Sequence, residues 1–334
     1  MSKNGWIILG VCLGLVFCLC MGLFLARRLA NTLFRDKEDA SVVSDLTKDF
    51  KDLKNAYSAD GVYTLKPDEL EELEVDWISG SVTIVLTDGD ALEIRETAKS
   101  AISEKNALRY GVKEGKLRIQ ACKKGHTGKL PKKELVLTLP RSLADTLKEL
   151  EIDTVSASVS AGEFQLEELD INTVSGQVQI ENVAANKGEI DSVSGDVTLR
   201  GCTFDSLRMD SVSALLSMTG TVGKVKTSSV SGSVQLWLDD SRELRISTMS
   251  GHIALTLYKI PKAVQVDTTS ALTSIYLPED ASCTIKLDSM SGKLLQNMQE
   301  VGSKQLILGE GEAKFDIDSM SGDAWIQPIP EKTR

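Results

Sequence analysis

Ile190-Asp191-Ser192-Val193-Ser194-Gly195 recurs, with small changes, along most of this chain. Its second serine falls at Ser79, Ser156, Ser175, Ser194, Ser213, Ser231, Ser250, Ser270, Ser291 and Ser321. From Ser156 to Ser291 the intervals are 19, 19, 19, 18, 19, 20 and 21 residues. A period near 20 means that each unit is a small supersecondary piece, which buries its apolar face only by stacking on its neighbours.

Within one unit, Gln177-Val178-Gln179-Ile180 alternates polar and apolar residues, as do Asp196-Val197-Thr198-Leu199 and Ser233-Val234-Gln235-Leu236. Period-two alternation reads as a half-buried strand. Two strands and two turns fill 19 residues and leave no length for a helix. The expected fold is all-β: a β-solenoid of about ten coils, with Val197 pointing inward. Gly follows the serine at seven sites and Ala at three, Ala157, Ala214 and Ala271, so the shared demand is small size where coils pack closely.

The repeated serines read as a hydroxyl ladder that satisfies backbone groups at a bend. A row of nucleophiles is the competing reading, but no base accompanies the repeat. Three residues before each serine runs a second ladder: Asp76, Asp153, Asn172, Asp191, Asp210, Ser228, Ser247, Asp267, Asp288 and Asp318. It reads as a solvated acidic edge, with a row of weak calcium sites as the functional alternative.

These Ser-Gly-x-Val-x-Ile/Leu repeats follow the strand Leu135-Val136-Leu137-Thr138-Leu139-Pro140. Together they resemble the bacterial putative-adhesin family of β-strand-repeat proteins, a domain family of unknown function. The resemblance spans roughly Val75 to Ile326. It implies tethering to a bacterial membrane, for some members a link to envelope stress, and no catalytic residues.

Residues 151–334 carry 15 cationic and 26 anionic side chains, a net of −11, against 23 and 22 in residues 1–150. So acidic a repeat region argues against nucleic acid as partner. Six cysteines form no CxxC pair, and neither His126 nor His252 has metal-ligand spacing. No cofactor is expected. A polysaccharide-active β-helix enzyme remains the rival class, needing clustered carboxylates in a cleft.

Trp6 to Ala26 is 21 residues without a charge, long enough to cross a bilayer as a helix, so residues 1–28 read as an uncleaved single-pass anchor. Arg27, Arg28, Arg35 and Lys37 after the span favour a cytoplasmic C-terminal side, as do the unpaired cysteines. The family resemblance favours the outside, which is the expectation adopted. A cytoplasm-facing, self-assembling scaffold is the alternative. Residues 36–57 show an apolar stripe at Val42, Leu46, Phe50, Leu53 and Tyr57, predicting an amphipathic helix that either caps the first coil or pairs in a coiled coil.

An irregular β-rich region, 62–150, precedes the regular solenoid, 151–334. Between its strands lie Lys123, Lys124, His126, Lys129, Lys132 and Lys133. They read as a solvated basic turn or as a contact for envelope polymer, anionic lipid or another envelope protein. The 30-residue interval before Ser321 marks an insertion near 299–311, and Trp325–Pro330 is expected to end the stack. The function expected is non-catalytic: a membrane-anchored module for binding, adhesion or envelope scaffolding and sensing.

Overall fold

The computed structural model describes residues 58, 61–65, 70–122 and 130–330. The expected anchor, the amphipathic helix and the loop residues 123–129 lie outside them. The chain is all-β and falls into two compact units, which among the described residues are 58–185 and 186–330. The boundary cuts strand β10 (Ala184–Ser192).

The first unit contains β1 (Val62–Leu65), β2 (Glu72–Thr87), β3 (Leu92–Ala98), β4 (Arg109–Lys113), β5 (Lys116–Gln120), β6 (Lys133–Pro140), a single helical turn α1 (Arg141–Ala144), β7 (Glu149–Gly162), β8 (Gln165–Thr173) and β9 (Val178–Glu181). β2 pairs in parallel with β7, and Ser79 meets Ser156. β7 pairs in parallel with β8 and β9. On its other edge β2 takes β5 and β6, also parallel, although both come later in the chain. Outside them β3 lies antiparallel on β6 and β4 antiparallel on β5.

The second unit contains β11 (Val197–Ser211), β12 (Leu216–Ser229), β13 (Val234–Thr248), β14 (His252–Leu257), β15 (Ala263–Thr268), β16 (Leu272–Leu277), β17 (Cys283–Ser289), β18 (Leu294–Gln296), β19 (Gln299–Glu300), β20 (Gln305–Leu308), β21 (Ala313–Ser319) and β22 (Ala324–Pro328). From β11 to β16 each coil stacks in parallel on the one before it. Alternate side chains are buried as the pattern requires: Val197, Leu199, Phe204 and Met209 point inward, and Thr198 does not.

The order then breaks. β15 pairs not with β17 but with β21, and β16 with β22. β17 and β18 lie on the far edges of β21 and β22. The last coil in sequence is therefore inserted between its two predecessors. This corrects the expectation that Trp325–Pro330 ends the stack. The long interval before Ser321 exists because the chain must come back: β20 runs antiparallel along β17 before β21 enters the slot.

The bend has a common construction. A hydroxyl two residues before the repeated serine, buried in Thr173, Ser229 and Ser319 and half-buried in Ser289, closes the turn: Gly176, Gly232, Gly292 and Gly322 donate their N–H to Thr173, Ser229, Ser289 and Ser319 over 2.7–2.9 Å. Trp77 takes this place in the first copy, and its indole Nε1 donates to the Lys133 carbonyl at 3.1 Å. The repeated serines lie outside and reach across coils. Ser156, Ser175, Ser213, Ser231, Ser270 and Ser321 donate Oγ–H to the carbonyls of Ile78, Val155, Val193, Val212, Met249 and Thr269 over 3.2–3.5 Å. Those carbonyls belong to the residue before the serine one coil back. The small residue that follows is required by a close approach. A Cβ at Gly232 would stand 2.0 Å from the Ala214 carbonyl oxygen, and one at Gly322 2.0 Å from that of Ala271.

Candidate functional surface

The first half of the acidic ladder is not a solvated edge, whereas Asp267 and Asp318 are half-buried and Asp288 is exposed. Asp76, Asp153, Asn172, Asp191 and Asp210 are buried. Each interaction that holds them comes from a neighbour on the same sheet face. Arg118 and Gln120 donate to Asp76 at 2.9 and 3.0 Å. Asn172 Nδ2 bridges Asp153 and Asp170, both at 2.9 Å. In the second unit Arg208 Nε donates to Asp210 at 2.8 Å, and Gln265 to Asp267 at 3.1 Å. Burial opposes the Arg208 cation, but Asp210, Asp191 and Glu189 outweigh it and hold the guanidinium above its usual range. Asp267 has only Gln265 and Arg245 to offset its burial, and its carboxyl is pushed up. Among the described residues no group of three or more His, Cys, Asp or Glu could hold a metal ion.

In the second unit Arg208 and Gln265 sit two residues before the acids they hold, on the same strands, and the row they belong to changes character along the unit. In spatial order it reads Arg208, Lys226, Arg245, Gln265, Asp316. Opposite Lys226 and Arg245 the acidic ladder lapses to Ser228 and Ser247. Both cations are exposed, and among the described residues no ion pair within 4.0 Å reaches either. The next row out supplies Lys224, which pairs loosely with Glu243 at 3.8 Å, and Lys314.

Between these two rows runs a groove of about 500 Å³. Six cations and three carboxylates line it, counting Lys187, Arg208, Lys224, Lys226, Arg245 and Lys314 against Glu189, Glu243 and Asp316. The lining is thus net +3, on a stretch of chain whose net charge is −11. Its floor is the backbone side of Leu207, Val225, Leu244 and Val264, side chains that belong to the core. The groove escaped the sequence reading, although its signal was present: a cation at the position two before Ser228 and Ser247, where the acid itself is missing.

The basic loop fares differently. Lys123, Lys124, His126 and Lys129 fall outside the described residues. Lys132 is exposed. Lys133 is not a loop residue: it opens β6, is 2% exposed, and its ammonium pairs with Glu96 and lies 4.8 Å from the centre of the Trp77 ring. Its place in the candidate binding loop is withdrawn, because β6 stacks outside β2 and lays Lys133 against Gly80. The insertion near 299–311 forms β19 and β20, the antiparallel cover of β17 and β18.

The model of the family described as Toastrack DUF4097 matches residues 70–327, a span that covers nearly all of the repeats. The chain belongs to this family. Its span runs from the start of β2 almost to the end of β22. No curated protein matches the chain. Similar solved structures include a putative lipid binding protein from Parabacteroides distasonis, with 17% identity and TM-score 0.47, covering 80% of this chain and 96% of that one. A putative adhesin from Bacteroides fragilis is similar at 14% identity and TM-score 0.41, with the same coverage of 80% and 96%. A putative adhesin from Parabacteroides distasonis has 12% identity and TM-score 0.46, covering 81% and 98%.

Proposed function

We propose that this Toastrack chain is a non-catalytic, membrane-anchored binding module, displayed outside the membrane, whose groove takes a polymer carrying repeated negative charges. The observation that carries this reading is the row Arg208-Lys226-Arg245, two of whose members have no carboxylate within ion-pair distance among the described residues, on an otherwise acidic stretch. Adjacent strands lie about 4.8 Å apart, so the row offers one cation per coil along the stack axis. An envelope polymer with regularly placed phosphates or carboxylates meets that row with several charges at once. The contact is exposed, so added salt weakens it.

The test is binding of polyphosphate, as the model polymer, by the full-length chain in detergent across a salt series. Lys226→Gln with Arg245→Gln is expected to weaken binding at least tenfold and flatten its salt dependence, while Lys132→Gln leaves both unchanged. Equal binding by the groove variant and the parent removes the groove from the function. Arg27, Arg28, Arg35 and Lys37 favour a second reading, a module facing the cytoplasm. Protease digestion of intact cells separates the two.

A further inference from the structure

The first unit closes on a buried polar cluster at the edge formed by β3, β4 and β6. Glu96 is its only described carboxylate, and it is fully engaged. Both its oxygens accept the Leu108 N–H, at 3.1 and 3.0 Å, and Oε1 accepts the Lys133 ammonium. Lys133 also donates to the carbonyls of Ala121 and Asn106, the latter at 2.8 Å. The Glu96–Lys133 pair is therefore neutral and satisfied.

Arg109 adds a second cation. It is 5% exposed, and its one hydrogen bond runs from Nη2 to the Glu104 carbonyl at 3.0 Å. Its Nε and Nη1 are buried and have no partner among the described residues, and Asn106 Oδ1 is buried and without one there too. Glu96, Lys133 and Arg109 all lie close enough to act on the Cys122 thiol. That thiol supplies no negative charge at neutral pH, since burial pushes it up. A buried guanidinium without a counter-charge is costly, and charge-assisted bonds to an oxyanion are the means by which such groups are satisfied.

We propose that Arg109 anchors a binding site for one small oxyanion, a phosphate or a carboxylate, which the described side chains leave open. This site is separate from the groove, since all its residues belong to the first unit and the groove's to the second.

The experiment starts from the full-length Lys226→Gln, Arg245→Gln chain, so that the groove contributes no signal. Phosphate and acetate are titrated calorimetrically at constant ionic strength against a chloride background. A single saturable event with phosphate or with acetate is expected, and which of them saturates tells the two chemistries apart. Arg109→Leu is expected to weaken that event at least tenfold. In buffer free of oxyanion, Arg109→Leu should melt no lower than its parent, because the substitution removes an uncompensated charge. Should Arg109→Leu fail to fold, Arg109→Lys serves in its place, with the same tenfold loss expected from exchanging a fork of donors for a point charge. Absence of saturable binding with both anions, the result if only water bridges the guanidinium, overturns the site. So does unchanged affinity in either variant.

Discussion

Ser229 and Ser231 stand two residues apart in one bend and do different work. The inner hydroxyl is buried, accepts the Gly232 N–H at 2.9 Å and lies 3.1 Å from the Ser211 hydroxyl. The outer one is exposed and makes a long bond of 3.4 Å to the Val212 carbonyl. Ser229→Ala strands a buried N–H and is expected to cost about 1–3 kcal/mol in urea unfolding, with Ser231→Ala within about 0.5 kcal/mol of the parent. The outer serine is the one whose recurrence draws the eye, since the inner position varies between Ser, Thr and Trp. Lys133 supplies a second contrast. Lys133→Met leaves Glu96 buried without its cation and should cost about 3–5 kcal/mol, much of it recovered when Glu96→Gln is added. The pair also carries a pH signature. Burial pushes the Lys133 ammonium down, more strongly than Glu96 holds it up. Its folded pKa lies below that of the unfolded chain, so between the two values the unfolded state holds more protons and stability rises with pH. Urea unfolding on the alkaline side should show this rise for the parent relative to the Glu96→Gln, Lys133→Met protein. Parallel pH profiles for the two would contradict it.

At the level of strands, an edge in each unit follows one plan. β3 and β4 cover β6 and β5 antiparallel, and β20 covers β17 in the same way. A parallel coil has an outer edge of unmet N–H and C=O groups that invites another chain, and an antiparallel strand occupies it. Under β20 sits Cys283, whose backbone pairs with Leu308; its thiol is fully buried and pushed up to about 11. Native protein should therefore leave Cys283 unmodified by iodoacetamide at pH 8. Leu306 is the one buried side chain of β20 and pairs opposite Ile285. Leu306→Asp is expected to lift the cover and make Cys283 the first described cysteine to react, read by mass spectrometry of the labelled peptides. Strand phase was legible beforehand because the alternation in Asp196-Val197-Thr198-Leu199 admits one inward set. The burial of the ladder acids was not, because it depends on pairs such as Arg208 with Asp210 and Asp170 with Asn172, spaced two apart on one face. That spacing is visible in the sequence once the face is known.

For the whole chain, the repeat dictated an all-β stack, and the family match spans it. The order of the end coils was out of reach, because every coil carries the same bend and the same alternation, so the pattern accepts any permutation. Lys133 became legible only with that order, since it is β6 stacked outside β2 that buries it. The expected anchor at Trp6–Ala26 calls for its own test. Leu15→Arg should raise the cost of insertion by about 2.5–3.5 kcal/mol, and deletion of residues 1–28 should move the chain from the membrane to the soluble fraction. The inserted coil bears on how the molecule is made. A ribosome releases β15 and β16, then β17 and β18, before β21 and β22 exist. For that interval β15 and β17 each present an open parallel edge with matching side chains, and nothing prevents them from pairing with each other. The final coil can then enter only by parting them, across a sequence separation of about fifty residues, which makes it a slow, late step. A chain cut short after β20 is therefore not merely shorter: it is free to close the gap and settle into a well-packed stack with the wrong neighbours.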